Sequence, residues 1–154
     1  MTVSPDECAG QVMEVAPLVM RAIRAEMRRH RASDLSVPQF RALTFLSHHE
    51  GASLSDVAEH IGLTLPSMSK MIDGLVARRL VKREMHPDDR RRVTLALTPR
   101  GRSHFESAHS ATRTCLAELM ATLPASDRAT VTQAMRILRP LLASRREAES
   151  ATGH

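Results

Sequence analysis

The chain has 154 residues, a formal net charge of +5 and 42% apolar residues against 25% charged ones, the balance of a single globular domain with a real core. Trp and Tyr are absent and Phe occurs three times, so the core must be aliphatic and methionine-rich. No run of 18 uncharged apolar residues exists, which argues against a membrane-spanning helix and a membrane partner.

The N-terminus, MTVSPDEC, lacks the basic-then-apolar leader of a secretion signal. Ser4 and Glu7 frame a capping box with Pro5 at the first helical position. Val12, Val15, Val19, Ile23 and Met27 then recur at helical spacing, with Arg21, Arg24, Arg28 and Arg29 on the opposite face. Pro17 interrupts the stripe and predicts a kink or a split, because it lacks an N–H and clashes one turn back. A second capping box, Ser36 with Gln39, precedes Phe40, Leu43 and Leu46, and this helix ends near Gly51. Ser53 and Asp56 open a short third helix over residues 54–61, stopped by Gly62, and Thr64 caps a fourth that runs to about residue 79.

The period then changes. Residues 80–85 and 92–97 alternate as strands do, around a polar, turn-rich tip at 86–91, and so predict a hairpin. Thr98 and Pro99 start a fifth helix in which Phe105, Ala108, Thr112, Cys115, Leu119 and Leu123 follow a nearly heptad seam. Residues 124–127 restart a sixth, with Val131, Met135 (or Ala134), Leu138 and Leu141 inward. Residues 147–154 are small and polar and are expected to form a flexible tail.

This order predicts a mainly α fold with a small β-hairpin wing: a winged helix-turn-helix over residues 35–98, flanked by a helical region at 1–34 and 99–146. The flanking helices carry apolar stripes and have no sheet to cover them. A second copy of the chain is the economical cover, so the flanks are expected to form a homodimer. Within the helix pair, Ala58 is small where the helices cross and Gly62 suits a left-handed turn, while Val57, Ile61, Leu63, Met68 and Met71 point inward. The start of the fourth helix then offers Thr64, Pro66, Ser67, Ser69, Lys70 and Asp73 to the edges and phosphates of double-stranded DNA. Seven basic residues fall between 78 and 92, and Arg83, Arg90, Arg91 and Arg92 among them suit a surface that meets phosphates.

The segments LSVPQF, LSDVAEHIGLTLPSMSKMIDGL and HPDDRRRVTLALTPRGR resemble the MarR (multiple antibiotic resistance regulator) family, closely over residues 36–103. The resemblance implies a dimeric, sequence-specific, ligand-responsive repressor on a pseudo-palindromic operator. It also implies that Arg91 enters the minor groove with Asp89 holding it, since a narrow groove concentrates negative potential for a guanidinium. Two positions depart from the family pattern: Arg79 replaces the usual Gly after the recognition helix, and Gly74 replaces a common basic residue. Many members bind small aromatic acids or other lipophilic anions, and Met20, Arg24, Met27, Phe40 and Leu43 form the candidate wall here. The competing reading makes Arg24 a surface residue and the others plain core.

Other functions have less support in the residues. Oxidant sensing at Cys8 lacks the tyrosines used by peroxide-sensing relatives, and Asp6 and Glu7 would raise the thiol's pKa. Cys115 falls on the apolar seam and reads as core. Eight histidines raise metal sensing, and Glu26 and His30 share a helix face, but no structural zinc spacing occurs and the histidines read as solvated residues at helix ends. No nucleophile–base pair or phosphate loop suggests an enzyme, and no cofactor is expected. A winged helix used only for protein interaction would leave Arg90, Arg91 and Arg92 unexplained. Two distant cysteines fit a reducing cytoplasm.

Overall fold

The computed structural model describes residues 2–86 and 88–152, with the side chains of His86, Arg90 and residues 146–152 outside that description. The chain forms two compact units, one reaching Thr114 and one beginning at Cys115. Its elements run α1 (Pro5–Arg29), α2 (Val37–His48), α3 (Leu54–Ile61), α4 (Leu65–Ala77), β1 (Val81–His86), β2 (Asp89–Leu97), α5 (Pro99–Met120) and α6 (Ala125–Thr152). This is the expected winged helix-turn-helix with long flanking helices. Among the described residues, no helix is long and apolar enough to cross a membrane.

Side-chain caps set most helix starts. The Ser4, Ser36, Ser53 and Thr64 hydroxyls accept from backbone N–H groups three residues on, and the boxes at Ser36 and Ser53 close reciprocally. Gly62 ends α3 at φ 81°, in the left-handed conformation that a short turn between two helices requires. α1 stays one helix across Pro17 instead of splitting. That proline lies in an exposed stretch, where water can satisfy the carbonyl freed one turn back. α6 likewise continues to Thr152, through most of the segment expected to be flexible. Residues 145–149 are Arg, Glu and Ala, good helix formers, and the first glycine after them is Gly153, outside the described residues.

The first unit has a single core. Leu35 and Phe40, Leu43 and Leu46 of α2 pack with Val57 of α3, Met68, Ile72 and Leu75 of α4, and Leu80, Val81 and Leu95 of the hairpin. Met27 of α1 and Phe105 and Ala108 of α5 complete it. Leu63, expected inward, is exposed instead, because the left-handed turn at Gly62 carries it past the helix crossing. The hairpin pairs Val81 with Leu97 and Met85 with Val93, and its register shifts between Met85 and His86. Its strands reach further into the tip than the alternation predicts. A bridge from the Leu95 N–H to the Ala52 carbonyl, at 2.8 Å, ties the wing to the turn before α3.

The second unit holds the end of α5 and all of α6. Thr122 and Leu123 close the turn between them with bonds to Leu119 and Met120. None of the described α6 side chains is buried, and Val131, Met135, Ile137, Leu141 and Leu142 are exposed. Cys115, expected in a core, is only half-buried.

Candidate nucleic-acid interface

α4 presents its N-terminal turn to solvent. Thr64, Pro66, Ser67, Lys70 and Asp73 are exposed, while Ser69 is half-buried. The first hydroxyls on this turn are mutually engaged. Thr64 Oγ1 accepts from the Ser67 N–H at 3.3 Å and donates to Ser67 Oγ at 3.0 Å. The Ser67 N–H is thus taken by its cap and Pro66 has none, so what the turn offers an anion is mainly the partial positive charge of a helix start.

The basic run from 78 to 92 is not uniformly positive. Arg78 pairs with Asp34, Lys82 with Glu84, and Arg83 with Asp73. The Asp73–Arg83 pair joins two residues expected to face DNA separately, one on α4 and one on β1, and partly offsets their charges. Both partners are exposed, so the pair stabilises the fold by about 0–1 kcal/mol at most. Arg91 and Arg92 make no ion pair among the described residues, and neither does the exposed Arg79, so the uncompensated charge of the run lies at Arg79, before the hairpin, and on β2. Arg91 and Arg92 flank an open cleft of about 380 Å³ beside Ser53, Ser55 and Asp56 at the start of α3. The side chain of Arg90 lies outside the described residues.

Asp89 and Arg91 do meet, through the backbone. The Arg91 N–H donates to Asp89 Oδ1 at 3.0 Å, an Asx-type turn that sets the main chain of the wing tip. The wing is anchored at its other end by Thr98. Its Oγ1 donates to the Arg79 carbonyl and accepts from the Gly101 N–H, while its own N–H donates to the Leu80 carbonyl.

A second concavity lies within the same unit. A cavity of about 340 Å³ is lined by Met20, Arg24 and Met27 of α1, by Phe40, Arg41 and Phe45 of α2, and by Phe105 of α5. Four of the five residues expected to form a ligand wall are thus together. Leu43 is not among them: at 0% exposure it is part of the core behind the cavity. Sequence reasoning missed the convergence of the histidines. His48, His60 and His109 are exposed and His48, His49 and His60 do stand at helix ends, as expected, but all four line this one cavity. The i,i+4 pairs Phe45–His49 and Phe105–His109 were legible as spacing, and their rings do meet. His60 arrives from another helix, which no local pattern announces. Its imidazole is held below its ordinary pKa of 6.5 by burial first, then by Arg41, His49 and Arg24.

Away from these sites, Glu26 of α1 and His30 at its C-cap lie 3.3 Å apart, as their spacing predicts. Cys8 is exposed.

Comparison with known proteins agrees with this geometry. Residues 33–92 match the model of the MarR family. The regulator Mb0904 of Mycobacterium bovis, described as an uncharacterized HTH-type transcriptional regulator, is 31% identical over 80% of this chain and 86% of that protein. YfiV of Bacillus subtilis, described in the same terms, is 33% identical over 49% of this chain, which spans only 48% of that protein. Among solved structures, the transcriptional regulator Tm0710 of Thermotoga maritima superposes with a TM-score of 0.75 at 14% identity, over 90% of this chain and 98% of that one. A variant of S. aureus MepR bound to an oligodeoxyribonucleotide gives 0.55 at 18% identity, over 87% of this chain and 96% of that one.

Proposed function

Because the chain belongs to the MarR family of winged helix-turn-helix transcriptional regulators, we propose that it is a homodimeric repressor in the cytoplasm that releases a pseudo-palindromic operator when a small anion occupies its cavity. The observation that carries the DNA-facing part is the pair of unpaired arginines on the wing, Arg91 and Arg92, on the same unit as the exposed N-terminal turn of α4. Thr64, Pro66, Ser67, Ser69 and Lys70 lie over the major groove and Arg91 reaches the minor groove, with Arg90 and Arg92 near phosphates. Asp73 and Arg83 act as a pair that orients the wing strand against α4. The DNA-bound MepR variant supports this docking by its fold.

Residues 1–34 and 99–146 serve dimerisation and 35–98 serve DNA binding. Two copies related by a two-fold axis place their recognition helices about one helical turn, roughly 10 base pairs, apart. Met20, Arg24, Met27 and Phe40 bound the effector site. It admits a small aromatic or lipophilic anion whose charge meets Arg24. The test is footprinting on the chain's own upstream region, followed by titration of the complex with aromatic carboxylates. Symmetric protection of two half-sites, lost on adding an acid, is the expected result. Protection of one unsymmetrical site would overturn the dimeric reading, and a complex indifferent to every acid would overturn the effector reading.

A further inference from the structure

The cavity on the first unit is one-sided in charge. Arg24 and Arg28 of α1 and Arg41 of α2 line it, none of its lining residues is acidic, and none of the three arginines makes an ion pair among the described residues. Its walls include two groups of rings. Phe45 stacks with His49 at 4.2 Å and 12° and meets His60 at 4.6 Å and 32°. Phe105 meets His48 edge-on at 5.7 Å and His109 at 5.6 Å. A planar anion entering such a space finds flat faces to lie against and cations to neutralise.

We infer that the cavity takes up its anion together with a proton, and that His60 receives the proton. The inference rests on the reading of this cavity as an effector site. Partial desolvation of the His60 ring comes first, then Arg41 of α2, His49 at its C-cap and Arg24 of α1, and all four disfavour the cationic form of His60. The α2 and α5 histidines His48 and His109 add no negative charge, and Glu59, the chain neighbour of His60 on α3, is exposed and outside the cavity. His60 is therefore neutral at neutral pH. A carboxylate seated between the arginines and the imidazole cancels that repulsion and gives an imidazolium a partner. Its pKa then rises on binding.

The sign follows from linkage. A site that gains a proton on binding gains affinity as pH falls. Below the lowered pKa of the empty state, His60 is already charged and the gain stops. Above the raised pKa of the complex, no proton is taken up and affinity levels off. The dependence thus begins below pH 6.5, at the lowered pKa of the unliganded state, and ends at the raised pKa of the complex. Anion plus proton amounts to the undissociated acid, which is the form in which a weak aromatic acid crosses a membrane.

Calorimetry with 2-naphthoate on the full chain, from pH 5.5 to 8 in two buffers of different ionisation enthalpy, measures the proton directly. The probe's carboxyl, with a pKa near the ~4 of ordinary carboxylic acids, stays ionised throughout. Affinity should rise roughly three- to tenfold on acidification across the window, with a measurable fraction of a proton absorbed per site. The His60 ring resonances should titrate at higher pH with naphthoate bound. His60→Gln should still bind but with a much flatter profile, and uncharged 2-naphthamide should show no pH dependence. Binding without proton uptake, or a His60→Gln profile as steep as the parent's, overturns the inference while leaving the effector site standing. No binding of naphthoate at any pH overturns both.

Discussion

Arg79 holds φ at 61°, the single non-glycine residue in the left-handed region among the described residues. It closes α4 in a Schellman motif. The Leu80 N–H donates to the Leu75 carbonyl at 3.0 Å, and the Arg79 N–H to the Val76 carbonyl at 2.9 Å. The sequence shows only that glycine is missing here; the fold keeps the glycine conformation anyway, because buried Leu75 and Leu80 and the Thr98 bond to the Arg79 carbonyl over-determine it. The strain of an L-residue in that region is on the order of 1 kcal/mol, partly offset by the extra chain entropy of glycine. Arg79→Gly should therefore stabilise by roughly 0.5–1 kcal/mol, raising Tm by a few degrees in a calorimetric scan. A lower Tm would show that the arginine side chain contributes more than its backbone costs. Gly101 is the opposite case: a Cβ there would stand 2.0 Å from the Leu80 carbonyl oxygen, inside any real contact. Gly101→Ala must push the start of α5 off the wing, at a cost of about 1–3 kcal/mol or more by denaturant melting. Motif likeness marked this glycine, but only the three-dimensional approach of α5 to Leu80 says why it is there.

At the level of elements, periodicity and caps were enough to place every helix and the hairpin, because each buried stripe and each cap is a local signal. Charge was harder to read. Seven basic residues in fifteen positions look like one patch, yet Asp34, Asp73 and Glu84 offset Arg78, Arg83 and Lys82, two of them from distant positions on the chain. The wing should therefore dominate the salt dependence of DNA binding. Arg91→Ala should lower affinity for nearly all duplexes and reduce the slope of log K against log salt by about one. Arg83→Ala should change that slope much less, since its charge is already paired. Asp89 separates geometry from charge. Its carboxylate caps the Arg91 N–H, so Asp89→Asn keeps an acceptor while removing a charge, and Asp89→Ala removes both. Anisotropy titrations on one operator should rank Asn at or above the parent and Ala below it. If Ala binds as tightly as Asn, the cap does not matter and the wing acts by electrostatics alone.

On the scale of the whole molecule, only part of what sequence periodicity assigned to an interior on the flanking helices is buried in the single chain: Met27 is, whereas Val15, Val19, Val131, Met135 and Leu141 are exposed. Met13 and Leu18 of α1 and Ile137 of α6, which the periodicity did not assign, lie open beside them, with Met135, Ile137 and Leu141 52%, 56% and 63% exposed. A sequence read alone shows that these stripes must be covered but not by what, because helical periodicity is the same for an intramolecular and an intermolecular partner. Apolar stripes left open along two long helices are rare on a stable monomer. The expected state is a dimer of twice the 17.0 kDa chain mass in light scattering at micromolar concentration. Its thermal midpoint should rise with protein concentration, since association stabilises only the folded form. Ile137→Glu tests the cover without touching the core of the first unit, because no α6 side chain among those described is buried. The variant should shift the mass toward the monomer, keep the helical signal of residues 35–98, and bind a two-half-site operator at least tenfold more weakly. That loss arises because each half-site must then be bound without the local concentration that the second copy supplies. An unchanged affinity for the full operator in a monomeric Ile137→Glu would mean that one winged helix suffices for recognition, and the two-fold architecture would have to be given up.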